Sequence, residues 1–268
     1  MMTRPEDDST REPFDRIARR RARARAAPRY ADVAFLKDAV AEDLAARAEE
    51  LGGPYARLLD LGAHDGRAGR AIAAAERVFA DSAYGFAAPL GGVVCDEDRL
   101  PFRDGSFDIV VSALSLHGVN DLPGTLVQVR RMLRPGGVFL AAFVGGHSLG
   151  AVRQALAQAE IAATGAMAPR LHPTVDAAAA PGLLQRAGFA QPVVDVSRMM
   201  LTYRTMEAMR RDLLGMGEGN VLSGRERRSL GRPLAARLAA AVAEALGPPP
   251  MRVDLEILTL TGLAPDAP

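Results

Sequence analysis

The sequence predicts an α/β fold: a doubly wound, mostly parallel seven-stranded sheet with a helical lid. Three observations carry that reading. Short apolar runs alternate with stretches of helical periodicity, the order that builds parallel sheets with right-handed crossovers. The stretch Arg57 to Gly69 (RLLDLGAHDGRAG) reads as a buried strand, a glycine-bearing turn and a helix opening near Arg67. Several predicted strands end on polar side chains, as they do where such sheets bind ligands.

Residues 1–13 are polar and read as disordered, and Phe14-Asp15-Arg16 then opens a basic arm, Arg19 to Arg25. Asp32 to Leu51 places Val33, Leu36, Val40 and Leu44 at helical spacing and stops at Gly52-Gly53-Pro54. After the central turn, strands are expected over Arg77 to Ala80, Val93 to Cys95 and Phe107 to Ser112. The last of these is continuously apolar, as strands covered on both faces should be. Asp121 caps a helix running to about Leu133, and Arg134-Pro135-Gly136-Gly137 turns into a strand over Val138 to Val144. Helices over 148–163 and 181–187, a strand over Pro192 to Ser197, helical segments at 205–214 and 225–246, and a last strand near Val253 to Thr261 complete the chain.

Composition narrows the function. The 268 residues carry 33 basic and 32 acidic groups, a net charge of +1, so no global field argues for nucleic acid or an anionic membrane. All basic residues except Lys37 are arginine, which alongside abundant alanine and proline reads as codon bias rather than phosphate binding. One cysteine, Cys95, excludes an internal disulfide or thiolate cluster and suits a reducing compartment. No apolar run reaches the length of a bilayer span. Glu6, Asp7, Asp8, Glu12 and Asp15 argue against an organellar transit peptide.

The turn excludes a dinucleotide. A Gly-x-Gly-x-x-Gly fingerprint would need glycine where His64 and Arg67 stand. What remains, Asp60, Gly62 and Gly66, suits S-adenosylmethionine (SAM), which carries no phosphate and whose cationic groups gain from a carboxylate. Gly62 is expected to let the ligand approach the backbone closely. Asp81 follows Asp60 by 21 residues, the distance at which an acidic side chain reaches both hydroxyls of a ribose. Asp96, in DEDRLPF, is placed at the adenine amino group, with Leu100 and Phe102 beside the ring. Ala63 and Ser112 complete the expected cofactor-binding set. On this reading residues 1–30 form a polar and basic arm, 31–200 the SAM-binding core, 201–250 a helical lid and 251–268 the final strand and tail.

Histidines suggest further chemistry. His64, His117 and His147 all fall in loops at the ligand edge, but no pair has compact His-x-Asp spacing, so no metal site is expected. His117, in SLHGVND, is the candidate acid/base or orienting donor. Glu218, the only acid in GMGEGN, is the candidate grip for a cationic substrate group. No Asp/Asn-Pro-Pro-Tyr stretch is present, so the usual amide-nitrogen or adenine methylation machinery is missing.

The turn, DEDRLPF, SFDIVVSALSLHGVNDLP and RMLRPGG together resemble the class I SAM-dependent methyltransferase superfamily over about residues 55–145. Phe14-Asp15-Arg16 with the arginines after it, SLHGVNDLP, FVGGHSL and DLLGMGEGN resemble the methyltransferase-like assembly factors of respiratory complex I, over about residues 14–262. That family's mitochondrial member is an arginine hydroxylase acting on a quinone-site subunit. The resemblance implies a bacterial, cytoplasmic relative that holds SAM at Asp60, Gly62, Asp81 and Asp96 and takes a protein substrate. The family turn usually reads Gly-Cys-Gly-x-Gly; here His64 adds a side chain where the methionine end should pass. Two alternatives stay open: a carrier-protein O-methyltransferase, with Arg210 and Arg211 near the lid as cations for a carboxylate, and a non-catalytic assembly chaperone.

Overall fold

The computed structural model describes residues 12–228 and 230–266; the expectation for residues 1–11 lies outside the described residues. The chain runs α1 (Arg16–Ala26), a 3-10 turn over Ala27–Val33, α2 (Phe35–Glu50), β1 (Tyr55–Leu61), α3 (Arg67–Ala71) and β2 (Ala74–Asp81). It continues through α4 (Tyr84–Ala87), β3 (Val93–Val94), β4 (Phe107–Ala113), a 3-10 turn at Leu116–Gly118, α5 (Leu122–Met132) and β5 (Leu133–Gly145). Then follow α6 (Gly150–Thr164), α7 (Ala180–Arg186), β6 (Ala190–Tyr203), α8 (Met206–Met216), α9 (Arg232–Leu246) and β7 (Met251–Leu263).

The seven strands form one sheet in the order β3-β2-β1-β4-β5-β7-β6. The first five are parallel; β7 runs antiparallel to both β5 and β6. Strand order therefore reverses between β1 and β4, which locates the crevice where such sheets take ligands. The central strands are mostly apolar because both faces are covered. Leu58, Ile109, Val111 and Leu140 point to the side packed by Leu36, Val40 and Leu44 of α2. Leu59, Leu61, Val110 and Phe139 point to the side packed by Leu126 and Val129 of α5 and Leu184 of α7.

The observed elements depart from the expected ones at their ends. Strand β6 extends well beyond Ser197, because Met199 to Tyr203 keep pairing with Leu255 to Met251 in a long antiparallel ribbon. Strand β5 starts at Leu133, paired with Phe107, so Arg134 to Gly137 sit inside an irregular strand and not in a free turn. Helix α9 begins at Arg232 and not near 225, since Pro233 in its first turn is pre-set for a helix start. Helices α8 and α9 do form the expected excursion between β6 and β7. Among the described residues no helix is long and apolar enough to cross a membrane.

The basic arm expected from the sequence forms α1, capped by Asp15, whose Oδ1 accepts from the Ala18 amide at 3.0 Å. Helical spacing of three and four puts Arg16, Arg19, Arg20 and Arg23 on one face. That face is turned inward. Phe14, Ala22, Val221 and Leu222 form a small cluster that ties the arm to the segment after α8.

Candidate functional site

The acidic row lies where the sequence placed it. Asp60 and Asp81 end or nearly end the neighbouring strands β1 and β2, and Asp96 follows β3 beside them. All three are buried. Asp60 accepts from the Gly69 amide at 2.8 Å through Oδ2, and its Oδ1 is buried with no partner among the described residues. Burial, opposed by the charge of Lys37, pushes its carboxyl up to about 6.

The rest of the row is already paired with α1. Arg23 spans both oxygens of Asp81, which also accept from the amides of His64 (2.9 Å) and Ala83 (2.8 Å). Arg20 grips Asp96 at both oxygens, and Arg19 grips Glu97 at 2.6 and 2.9 Å. Arg16 pairs with Asp98. Four arginines on one helix face thus meet four carboxylates. Such bidentate, charge-assisted bonds are the strong ones. Glu97, missed by the sequence reading although it sits beside Asp96 in DEDRLPF, is fully buried and also accepts from Ser115 Oγ at 2.6 Å.

Burial alone would raise the Glu97 carboxyl, but the charge of Arg19 and its hydrogen bonds hold it at about 2, against an ordinary 4.5. A depressed carboxylate stabilises the fold fully above its ordinary value and loses that contribution as pH falls toward the folded value. Hydrogen-exchange protection of α1 should therefore fall as the pH drops from about 4.5 toward 2. Glu97→Gln should lower protection already at neutral pH and flatten that dependence; unchanged protection in the variant would remove Glu97 as the anchor.

The turn is filled from within. Gly62 has φ +68°, and a Cβ there would meet Ser115 Oγ at 2.2 Å and Glu97 Oε1 at 3.2 Å. The amides of Gly62 and Ala63 both donate to the Ala80 carbonyl, at 2.8 and 3.0 Å. Gly66 needs its left-handed φ of +79° and packs closely on Phe79 and Leu90. His64 is buried, stacked on Tyr30 at 4.9 Å, with its Nε2 accepting from Arg23 at 2.8 Å. Burial and the flanking charges of Arg23 and Lys37 hold its imidazole well below the usual range, so it is neutral. Lys37, also buried, donates to the carbonyls of Gly62, Ala63 and Ala113 at 3.0–3.2 Å. Ser112 donates to the Leu61 carbonyl at 2.7 Å, and the Leu100 amide to Gln128 at 3.0 Å. The Ala63 amide and the Ser112 hydroxyl, expected at the cofactor, are bonded to other protein groups, while the Leu100 side chain, expected beside the adenine, packs on the apolar cluster of β4 and α5.

A second cluster lies at the exit of β4. His117 Nε2 stands 3.1 Å from Glu218 Oε2, so the two candidate catalytic residues, 101 positions apart, do meet. His172, from the loop after α6, joins them with Nδ1 4.0 Å from the same oxygen. Burial would raise the Glu218 carboxyl, yet the charge of His117 and its hydrogen bond hold it at about 2. His64 and His147 do not join: His64 lies in the turn, and His147 is in an exposed loop where its amide donates to Glu256. No spacing signal pointed to His172, because three separate loops supply the cluster.

Comparison with known proteins agrees with this architecture. A methyltransferase domain family matches residues 59–141. The zebrafish (Danio rerio) mitochondrial arginine-hydroxylase NDUFAF5 is 42% identical over 132 residues, 49% of this chain and 41% of that protein. The human protein of the same name is also 42% identical over 132 residues, covering 38% of its length. The expected likeness over residues 14–262 is thus matched over only half of the chain, and these alignments span about two fifths of those relatives. A malonyl-[acyl-carrier protein] O-methyltransferase of Gallionella capsiferriformans is 31% identical over 245 residues, 84% of this chain and 82% of that protein. The chain belongs to the class I SAM-dependent methyltransferase superfamily. Among solved structures, the YcgJ protein of Bacillus subtilis matches with a TM-score of 0.54 at 15% identity, over 84% of this chain and 98% of its own. A SAM-dependent methyltransferase of Thermotoga maritima matches at 0.52 and 15%, over 92% and 99%. These likenesses concern the fold.

SAM is the cofactor of this superfamily, and the chain carries the acidic row suited to it. The space does not fit it while α1 is docked. Both oxygens of Asp81 and of Asp96 are taken, and the approach to Gly62 is closed by Ser115 and Glu97. A ribose diol reaches Asp81 only by displacing Arg23.

Proposed function

We propose that this superfamily enzyme hydroxylates an arginine of a respiratory complex I subunit during assembly. The observation that carries the proposal is the meeting of His117 and Glu218 at the β4 exit. There a partly exposed carboxylate held ionised at neutral pH offers a guanidinium its natural partner. The 42% identity to arginine hydroxylases over 132 residues supports the same reading. Hydroxylation puts one atom of molecular oxygen into a C–H bond and releases the other as water. Two electrons and two protons must then come from an external reductant. The cytoplasmic location expected from the sequence belongs to this proposal, since the hydroxylases it resembles are named as mitochondrial.

A second reading is favoured by a different observation. The O-methyltransferase relative covers 84% of the chain, more than the hydroxylases do. It would need SAM in the crevice now filled by α1 and a cation for a carboxylate. Arg211 on α8 could serve, whereas Arg210 is paired with Glu207. Peptide mass spectrometry of the quinone-site subunit, from cells with and without this gene, separates the readings. A gain of one oxygen on arginine supports hydroxylation. A methyl increment on that subunit supports transfer, and no change on it leaves the carrier methyltransferase or a non-catalytic chaperone.

A further inference from the structure

We propose that His117, His172 and Glu218 form a divalent transition-metal site. Their ligand atoms all lie within 4.8 Å of one another. Two imidazoles and one carboxylate leave coordination positions open, the donor set of non-haem iron(II) oxygenases and of some catalytic zinc centres. An ion with bonds of about 2.1 Å holds neighbouring donors about 3 Å apart in octahedral geometry. The His117–Glu218 separation of 3.1 Å already has that value, and His172 needs to close by about one ångström from 4.0 Å.

The surroundings orient the donors. His172 places Nε2 3.3 Å from the Gly219 carbonyl, so its N–H points there and Nδ1 turns its lone pair to Glu218. A histidine that ligates a metal is usually fixed in this way, its second nitrogen donating to a carbonyl or carboxylate. Phe14 stacks edge-on against His172 at 5.1 Å and closes one side with an apolar wall. The Nδ1 of His117 is buried without a hydrogen-bond partner among the described residues. Gly118, next to His117, and Phe14 both line a crevice that runs on past Val119 and Asn120. An ion at this site therefore lies beside an opening. With an ion present, Glu218 is its ligand and no longer a free carboxylate for a guanidinium, which has only N–H donors and cannot itself ligate the ion.

The site stands on geometry and not on the hydroxylase reading, so each can fail alone. The test is equilibrium dialysis of the full chain against Fe(II) without oxygen, and against Co(II), with X-ray absorption of the loaded protein. The expected result is one ion per chain with two imidazole nitrogens in its shell. His172→Ala and Glu218→Ala should each weaken binding more than about 100-fold, beyond the usual cost of altering an outer-shell partner. His147→Ala should leave binding unchanged. The absorption measurement on the unaltered chain needs no variant to fold. Binding that survives His172→Ala, an ion bound without imidazole nitrogen, or failure of both metals to bind would each overturn the proposal. If the metal binds and the subunit gains no oxygen, the site holds and the hydroxylase reading falls.

Discussion

Arg23→Ala should lower the unfolding free energy by about 3–5 kcal/mol, the cost of stranding one member of a buried ion pair. Arg23 and Asp81 are 2% and 0% exposed, so water does not replace the lost guanidinium. Asp81 keeps the amides of His64 and Ala83, which sets the loss toward the lower end of that range. At this chain length each kcal/mol moves the melting midpoint by roughly 2–4 °C. The same substitution frees the carboxylate that the sequence assigns to a ribose. SAM should therefore raise the midpoint of Arg23→Ala more than that of the unaltered protein, since a ligand stabilises only the state that binds it. Adding Asp81→Ala should remove the difference. Equal shifts with and without Arg23 would show that the arginine does not compete with the cofactor.

Gly62→Ala should cost about 3 kcal/mol, from two sources. An alanine at φ +68° bears the left-handed penalty of about 1–2 kcal/mol. Its methyl would also stand 2.2 and 2.3 Å from Ser115 Oγ and Cβ, an overpacking that typically costs about 1–3 kcal/mol. Ser115→Gly in the same chain removes both clashing atoms and should recover the second part only, as read by urea unfolding. No recovery at all would mean that backbone strain accounts for the whole effect and that Ser115 moves aside freely. The glycine was expected to admit a ligand; here it admits the loop after β4.

Much of the fold was readable because strands covered on both faces leave an unmistakable record. LLDL and FDIVVS are mostly apolar runs, and polar residues stand at or near their carboxyl ends. That is why Asp60, Asp81 and Asp96 could be placed along one rim before any coordinates. Strand ends were less legible. The long β6–β7 ribbon depends on backbone pairing between partners about 50 to 70 residues apart, which side-chain pattern hardly signals.

Local order in the chain determined the strands, the acidic rim and the cationic face of α1. Each depends on residues a few positions apart, through the periods of strand and helix. What α1 docks against was decided only in three dimensions, because a stripe of arginines has the same spacing whether it faces water or carboxylates. Its burial comes from Phe14 and Ala22 packing on Val221 and Leu222, some two hundred residues downstream. The joining of His117, His172 and Glu218 is of the same kind. Three loops with no common period converge because the sheet brings their ends to one edge, and only the folded chain sets donor atoms at bonding range.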